Sequence, residues 1–328
     1  MPGSEHPAGP SWRGPLVLGA LVLIACCALV VGRVVWYDPY WVFRQTPPWL
    51  AATEGGNKLL DRQMRRAKAL QAMTRDYDVA LFGSSTTYHG LDPADADPGP
   101  RLYNAGISGI LADELPVMAS IIASRPRVKR VALGLDYYMF SRTDRAVHLD
   151  RTLATPLGRA NARLGSLIGR YAIHDAWPAE VEAKTDPGRW TYEGFRVTPK
   201  LAAAETMLND TIRRRTTVPL QPSTYAALER AVGILRGREI DLYLGPVSRA
   251  QRLVLSDLGH TDDFARWRED MRELAARHGV RFHDLTALGS DDAFDPRTGS
   301  TDRWLDNLHY TPVVGRRVFE ALGLRSRP

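Results

Sequence analysis

The chain has 328 residues, 44% of them hydrophobic, which is enough to fill one large core or two modest ones and excludes a chain that is disordered throughout. Its formal net charge of +6 does not indicate a nucleic-acid binder, because the basic residues are scattered and balanced locally by Asp and Glu. The basic side chains are almost all arginine, and the two cysteines, Cys26 and Cys27, sit side by side in an apolar run, so neither a disulfide framework nor a Cys/His metal-ligand spacing is present.

Residues 1–14 are polar and are read as a disordered tail. From Leu16 to Val31 no residue is charged, and Val34, Val35, Trp36 and Tyr37 extend the run past Arg33 to about 22 residues. At roughly 1.5 Å per residue that length crosses a bilayer, so residues 15–37 are expected to form a transmembrane anchor. Arg33 sits where it can snorkel, and Trp12, Trp36, Tyr37, Tyr40 and Trp41 suit the two interfaces. A cleaved signal peptide is the competing reading, but no Ala-x-Ala site closes the run. Leu23-Ile24-Ala25-Cys26 matches a lipoprotein cleavage box, yet strongly apolar sequence continues beyond it.

Residues 38–76 read as a juxtamembrane loop, rich in aromatics, Pro and Gly, followed by one amphipathic helix over Lys58 to Thr74. Five short apolar runs then have the pattern of strands buried on both faces: Asp78 to Phe82, Arg101 to Asn104, Val128 to Leu135, Ile240 to Leu244 and Val280 to Asp284. Helical spacing is expected over Asp113 to Ala123, Ser223 to Arg238, Asp262 to His278 and Val313 to Leu322. The stretch 141–222 is too long for a simple crossover and reads as a helical insertion that lids the site or shapes an acceptor groove. The expected fold over 77–328 is a flavodoxin-like three-layer α/β/α sandwich around a central parallel sheet, with ligands gathered at the carboxyl ends of the strands.

Polar residues punctuate those ends. The first strand runs into Phe82-Gly83-Ser84-Ser85-Thr86-Thr87, where a small residue before a hydroxyl at a strand-to-helix turn exposes the side chain and presents backbone N–H groups. The second runs into Asn104-Ala105-Gly106-Ile107-Ser108-Gly109, and the third ends in Leu135-Asp136. Near the C-terminus Asp306-Asn307-Leu308-His309 precedes the last helix, a spacing that lets a carboxylate hold an imidazole in the tautomer that accepts a hydroxyl proton. Taken singly, each block is also consistent with an ordinary turn. His89, four residues past Ser85, is placed at the pocket mouth. His148, His174, His260, His278 and His283 read as surface or packing residues.

Together these four blocks resemble the SGNH hydrolase superfamily of GDSL-like esterases and acyltransferases, over roughly Asp78 to Leu322 apart from the insertion. The resemblance implies Ser85 as nucleophile, Asp306 and His309 as the acid and base that activate it, and the backbone N–H groups of Ser85 and Gly109 as oxyanion donors. Asn104, Asp136 and His89 are the further candidates for lining the oxyanion and substrate site. Two positions depart from the family pattern. Ser84 stands where an Asp usually precedes the nucleophile, and Asp136 stands where the third block usually supplies an Asn; an ionised carboxylate cannot donate to an oxyanion.

An anchored body of this kind resembles bacterial envelope proteins, such as alginate O-acetyltransferase-like domains, that move acyl groups on extracytoplasmic glycans. The implied activity is O-acyl transfer or ester hydrolysis through an acyl-serine. The implied partners are an acylated or acceptor glycan, a membrane protein that donates acyl groups, and the bilayer itself. The implied place is the bacterial inner membrane, single-pass, with the body outside the cytoplasm. No metal and no organic cofactor is implied. Two other readings compete: a non-catalytic envelope scaffold that binds glycan with a degenerate site, and a nucleotide binder whose phosphate loop is Gly83 to Thr87.

Overall fold

Val79–Phe82 (β1) is four consecutive apolar residues, all buried, and it lies second from one edge of a five-stranded sheet. The computed structural model describes residues 12–43, 58–140, 148–177, 189–202, 220–289 and 299–326. Leu102–Asn104 (β2) lies on one side of β1 and Arg130–Leu135 (β3) on the other, followed outward by Glu239–Leu244 (β6) and Arg281–Asp284 (β7). All neighbours are parallel, with Phe82 opposite Leu133, Leu135 opposite Leu244, and Leu244 opposite Asp284. The carboxyl ends therefore share one edge. The chain leaves β1 toward β2 and returns on the other side at β3, so the strand order reverses between β1 and β3, the point where sheets of this kind gather their ligands.

Alternate side chains feed two core layers. Ala80, Phe82, Val131, Leu133 and Leu242 point into one, with side chains from Met64–Thr74 (α3), Leu115–Ala123 (α5), Pro222–Ile234 (α8) and Thr261–His278 (α10). Val79, Leu81, Ala132 and Tyr243 point into the other, against Val314, Val318 and Phe319 of Pro312–Ala321 (α11) and the rings of Trp304 and Tyr310. Both faces are covered, which is why these strands read as unbroken apolar runs.

The expected helix over Lys58 to Thr74 is two helices, Lys58–Arg62 (α2) and α3, broken at Gln63, whose ψ of 26° lies outside the helical range. α3 packs on the sheet, and even its Lys68 is buried. The expected helix to Arg238 ends at Ile234. The expected juxtamembrane loop is not peripheral where it is described: Asp38, Tyr40 and Trp41 are buried, while 44–57 lie outside the described residues.

Arg13–Tyr37 (α1) is a 25-residue helix whose most apolar window has a mean hydropathy of 2.7, long and apolar enough to cross a membrane. Of the expected disordered tail, 1–11 lie outside the described residues, and the helix begins within the rest. In the expected insertion, the described parts include two helices, Pro156–Ile168 (α6) and Arg170–Asp175 (α7), and a hairpin of Arg189–Trp190 (β4) with Arg196–Val197 (β5). The helices pack toward α1 and α3, and it is the hairpin segment that reaches the carboxyl edge of the sheet.

Candidate functional site

Ser85 opens the short helix Ser85–Gly90 (α4) immediately after β1, with the Ser84 hydroxyl capping it by accepting from the Thr86 N–H. A second segment meets it from the far end of the chain. Trp304 and Tyr310 pair as an antiparallel bridge, and Leu305 N–H donates to His309 O at 2.8 Å, pinching residues 305–309 into a tight loop at the start of α11. Asp306 Oδ1 accepts from the Leu308 and His309 N–H groups, both at 2.7 Å, which fixes the carboxylate inside its own loop.

That geometry brings three of the expected residues together. Asp306 Oδ2 lies 2.7 Å from His309 Nδ1, and His309 Nε2 lies 2.8 Å from Ser85 Oγ. A buried carboxylate beside Nδ1 selects the tautomer with the proton on Nδ1, leaving Nε2 as the acceptor for the Ser85 hydroxyl. All three side chains are largely withdrawn from solvent, with Ser85 5% and Asp306 4% exposed. Chemically, the array can move the Ser85 proton onto the imidazole and hold the resulting charge against Asp306.

Gly109 has φ +51°, a left-handed conformation that suits glycine. The Ser108 carbonyl accepts from Arg65 Nη1 at 3.3 Å, and a trans peptide aims the Gly109 N–H the opposite way. Arg65 also accepts no freedom of its own: it grips the buried Glu114 through Nε at 2.7 Å and Nη2 at 2.9 Å. Glu114, itself buried, in turn accepts from the Leu111 and Leu149 N–H groups, so a partly buried ion pair braces this loop.

Two of the expected lining residues do something else. Asn104 is fully buried and turned inward; its Nδ2 donates to Thr87 O at 2.9 Å and Leu91 O at 2.8 Å, and its Oδ1 accepts from Gly106 N–H. It fastens the helix that carries Ser85, its amide nitrogen and oxygen both engaged by backbone groups rather than turned toward the Ser85 hydroxyl. Asp136, at the end of β3, is also occupied as an acceptor: its Oδ2 takes hydrogen bonds from the Ser84 hydroxyl and from Thr86 Oγ1, the latter at 3.0 Å. Burial pushes its carboxyl above the ordinary range, opposed by those two hydroxyls and by nearby His309. It supports the turn before Ser85 from behind.

His89 is near the site, with its ring centroid 4.8 Å from that of His309. Its Nδ1 pairs with Thr198 Oγ1 at 2.9 Å. Burial, then the neighbouring His309, depresses its pKa well below the usual histidine value, so the ring is neutral.

Thr198 belongs to the segment that continues the β4–β5 hairpin, and this wall was not legible in the sequence. The hairpin docks on the end of β2 through Asn104 N–H to Glu193 O at 2.7 Å, and on Lys68, whose Nζ donates to Asn104 O at 2.7 Å and Gly194 O at 2.5 Å. Trp190 lies over the Lys68 ammonium and beside Tyr88. Beyond Thr198 the strand joins the far loop, where Ser300 N–H donates to Leu201 O and Leu201 N–H to Ser300 Oγ. The 189–202 segment thus runs from the end of β2, past His89, to the loop that bears Asp306 and His309. The clue available in the sequence was the aromatic and glycine content of Trp190 to Phe195, a pattern too short to assign.

Among the described residues no group of three or more His, Cys, Asp or Glu side chains is arranged to hold a metal ion. Of the histidines read as surface or packing residues, His283 pairs with buried Asp241 at 3.0 Å at the amino end of the sheet, beside Arg130 and Arg281.

Comparison with known proteins gives little. No family model matches the chain, and no curated protein matches it. Among solved structures, a chain from Streptococcus pneumonia described provisionally as a platelet activating factor is similar at 12% identity, with a TM-score of 0.42, covering 81% of this chain and 92% of that one.

Proposed function

We propose that the protein is a membrane-anchored SGNH-type enzyme that transfers or hydrolyses acyl groups through an acyl-serine on Ser85. The observation that carries this reading is the continuous hydrogen-bonded relay from Asp306 through His309 to Ser85, assembled from opposite ends of the chain at the carboxyl edge of a parallel sheet. The strand order β2-β1-β3-β6-β7 supports a flavodoxin-like sandwich, in which the carboxyl edge at the reversal of strand order is the usual ligand site.

In this account Ser85 Oγ attacks the acyl carbonyl while its proton passes to His309 Nε2. The carbonyl oxygen becomes an oxyanion, held by the Ser85 and Gly109 N–H groups. Collapse breaks the bond to the leaving group, which takes the proton from His309, and the acyl group stays on Ser85. An incoming sugar hydroxyl, or water, then gives its proton to His309 and attacks the ester, and Ser85 regains its hydrogen as the product leaves. Each oxyanion donor contributes about 3 kcal/mol in sites of this type. Asp136 takes no part as a donor in this scheme, because its acceptor oxygen faces Ser84 and Thr86.

The substrate class is an extracytoplasmic glycan, with the acyl group supplied by a membrane partner. In this reading α1 tethers the body to the bacterial inner membrane; what supports that role is its length and exposed apolar surface.

The test is turnover of p-nitrophenyl acetate by the detergent-solubilised full chain, with and without a soluble oligosaccharide acceptor. The account expects nitrophenol release by wild type, loss of release in Ser85→Ala, and acetylated oligosaccharide by mass spectrometry when acceptor is present. Release that is undiminished in Ser85→Ala contradicts it.

A further inference from the structure

The helix α6 carries an apolar stripe that faces away from the body. Leu157, Leu164 and Ile168 are 71%, 55% and 52% exposed, and their spacing of seven and four residues places them on one face. The helix contains two arginines, Arg159 and Arg163, and no acidic residue. Tyr171 and Trp177, both exposed, prolong the stripe past the end of α6.

The position of α1 says what covers this face. At about 1.5 Å per residue, 25 residues span about 37 Å, more than the ~30 Å of a hydrocarbon core, so the last turn or two of the helix emerge at the interface. Those are the turns that lose exposure: residues up to Leu29 are exposed, whereas Val34 is buried and Val30, Val31, Arg33 and Val35 are partly so. α6 and α7 are the elements packed against α1. The junction is braced by the Arg33 guanidinium, which lies 4.4 Å from the Tyr37 ring and 4.3 Å from the Trp177 ring, and by the Tyr40 hydroxyl donating to Asp175 at 2.6 Å. The apolar stripe of α6 thus lies on a helix packed against α1, beside a junction of the aromatic and arginine side chains that suit the headgroup level.

We propose that α6 is a second membrane-contacting element, lying in the interface of the bilayer that α1 crosses, with Leu157, Leu164 and Ile168 among the acyl chains and Arg159 and Arg163 on the far side of the helix, where they donate to the carbonyls of Leu153, Ala154 and Met73. The inference rests on the reading of α1 as a membrane anchor. A single spanning helix leaves the body free to tilt; a contact at α6, which packs against α1, sets one orientation of the body over the lipid surface.

The experiment uses the full chain in vesicles of phosphatidylcholine with a minority of phosphatidylglycerol. In a Cys26→Ala/Cys27→Ala background, one environment-sensitive fluorophore is attached at a time through Val22→Cys, Leu164→Cys or Glu273→Cys, and lipid-borne and aqueous quenchers are added. The expected result is strong lipid quenching at positions 22 and 164 and none at 273, with the position-164 signal lost when Leu157 and Ile168 are also changed to Asp. Quenching at 22 with position 164 open to the aqueous quencher overturns the proposal and leaves the anchor standing. Shielding of position 164 from both quenchers also overturns it, since a second copy of the chain then covers the face. Absence of lipid quenching at 22 overturns the anchor reading and the proposal together.

Discussion

The Asp136 carboxylate accepts a hydrogen bond from the hydroxyl of Ser84, the residue immediately before Ser85. Ser84 in turn caps the helix on which Ser85 stands, so a side chain on β3 is linked to the backbone turn that aims the candidate nucleophile. Burial raises the Asp136 pKa above that of an exposed Asp, so a proton is bound more tightly there in the folded state than in the unfolded chain. Stability associated with that proton is fully present below the unfolded pKa, about 3.9, and is lost as pH rises through the folded value.

Asp136→Asn removes this titration while keeping a carbonyl oxygen for Ser84 and Thr86. The melting temperature of the variant, relative to wild type, is expected to increase from pH 4 toward pH 7. A difference that stays constant across that range contradicts the burial argument.

Asp306→Asn keeps an oxygen for the Leu308 and His309 N–H groups but withdraws the charge that holds the His309 tautomer. The fold should survive, with the melting transition near that of wild type. The rate of acylation of Ser85, read as the burst of nitrophenol, should fall by about 10³ to 10⁴.

Asn104→Ala strips partners from two buried carbonyls, Thr87 O and Leu91 O. Denaturant unfolding should show a loss of about 2 to 4 kcal/mol. A loss confined to activity, with unchanged stability, would return Asn104 to the substrate site.

Gly90 and Gly315 let α4 and α11 touch. A Cβ on Gly90 would lie 1.9 Å from Tyr310 Cε2, and one on Gly315 would lie 1.8 Å from Gly90 O. Gly90→Ala is therefore expected to cost about 1 to 3 kcal/mol by overpacking and to displace the Tyr310 ring, which adjoins His309 in the chain. Thermal unfolding and burst amplitude should fall together.

The sheet was legible because parallel strands buried on both faces read as continuous apolar runs. The expected Val128 to Leu135, for instance, differs from the observed Arg130–Leu135 only at its start. The meeting of Ser85, Asp306 and His309 was legible because each stands in a short local motif at an element end. The supports were not. Asn104, Arg65 and Lys68 act on partners that only tertiary structure brings near: Asn104 stood out as a strand-end candidate but not as a brace, and Arg65 and Lys68 look unremarkable in a basic helical stretch. The break at Gln63 carries no Pro or Gly to announce it. The 189–202 wall rests on strands of two residues each, below any periodicity that a sequence can display.

The central claim is that Ser85 is a nucleophile activated by His309, and labelling with a fluorophosphonate probe tests it most directly. The full chain in detergent should take up the probe at a single peptide containing Ser85, with labelling abolished in Ser85→Ala and in His309→Ala while both variants keep the wild-type circular dichroism spectrum. A folded wild type that stays unlabelled, or one that labels equally in Ser85→Ala, would contradict the account.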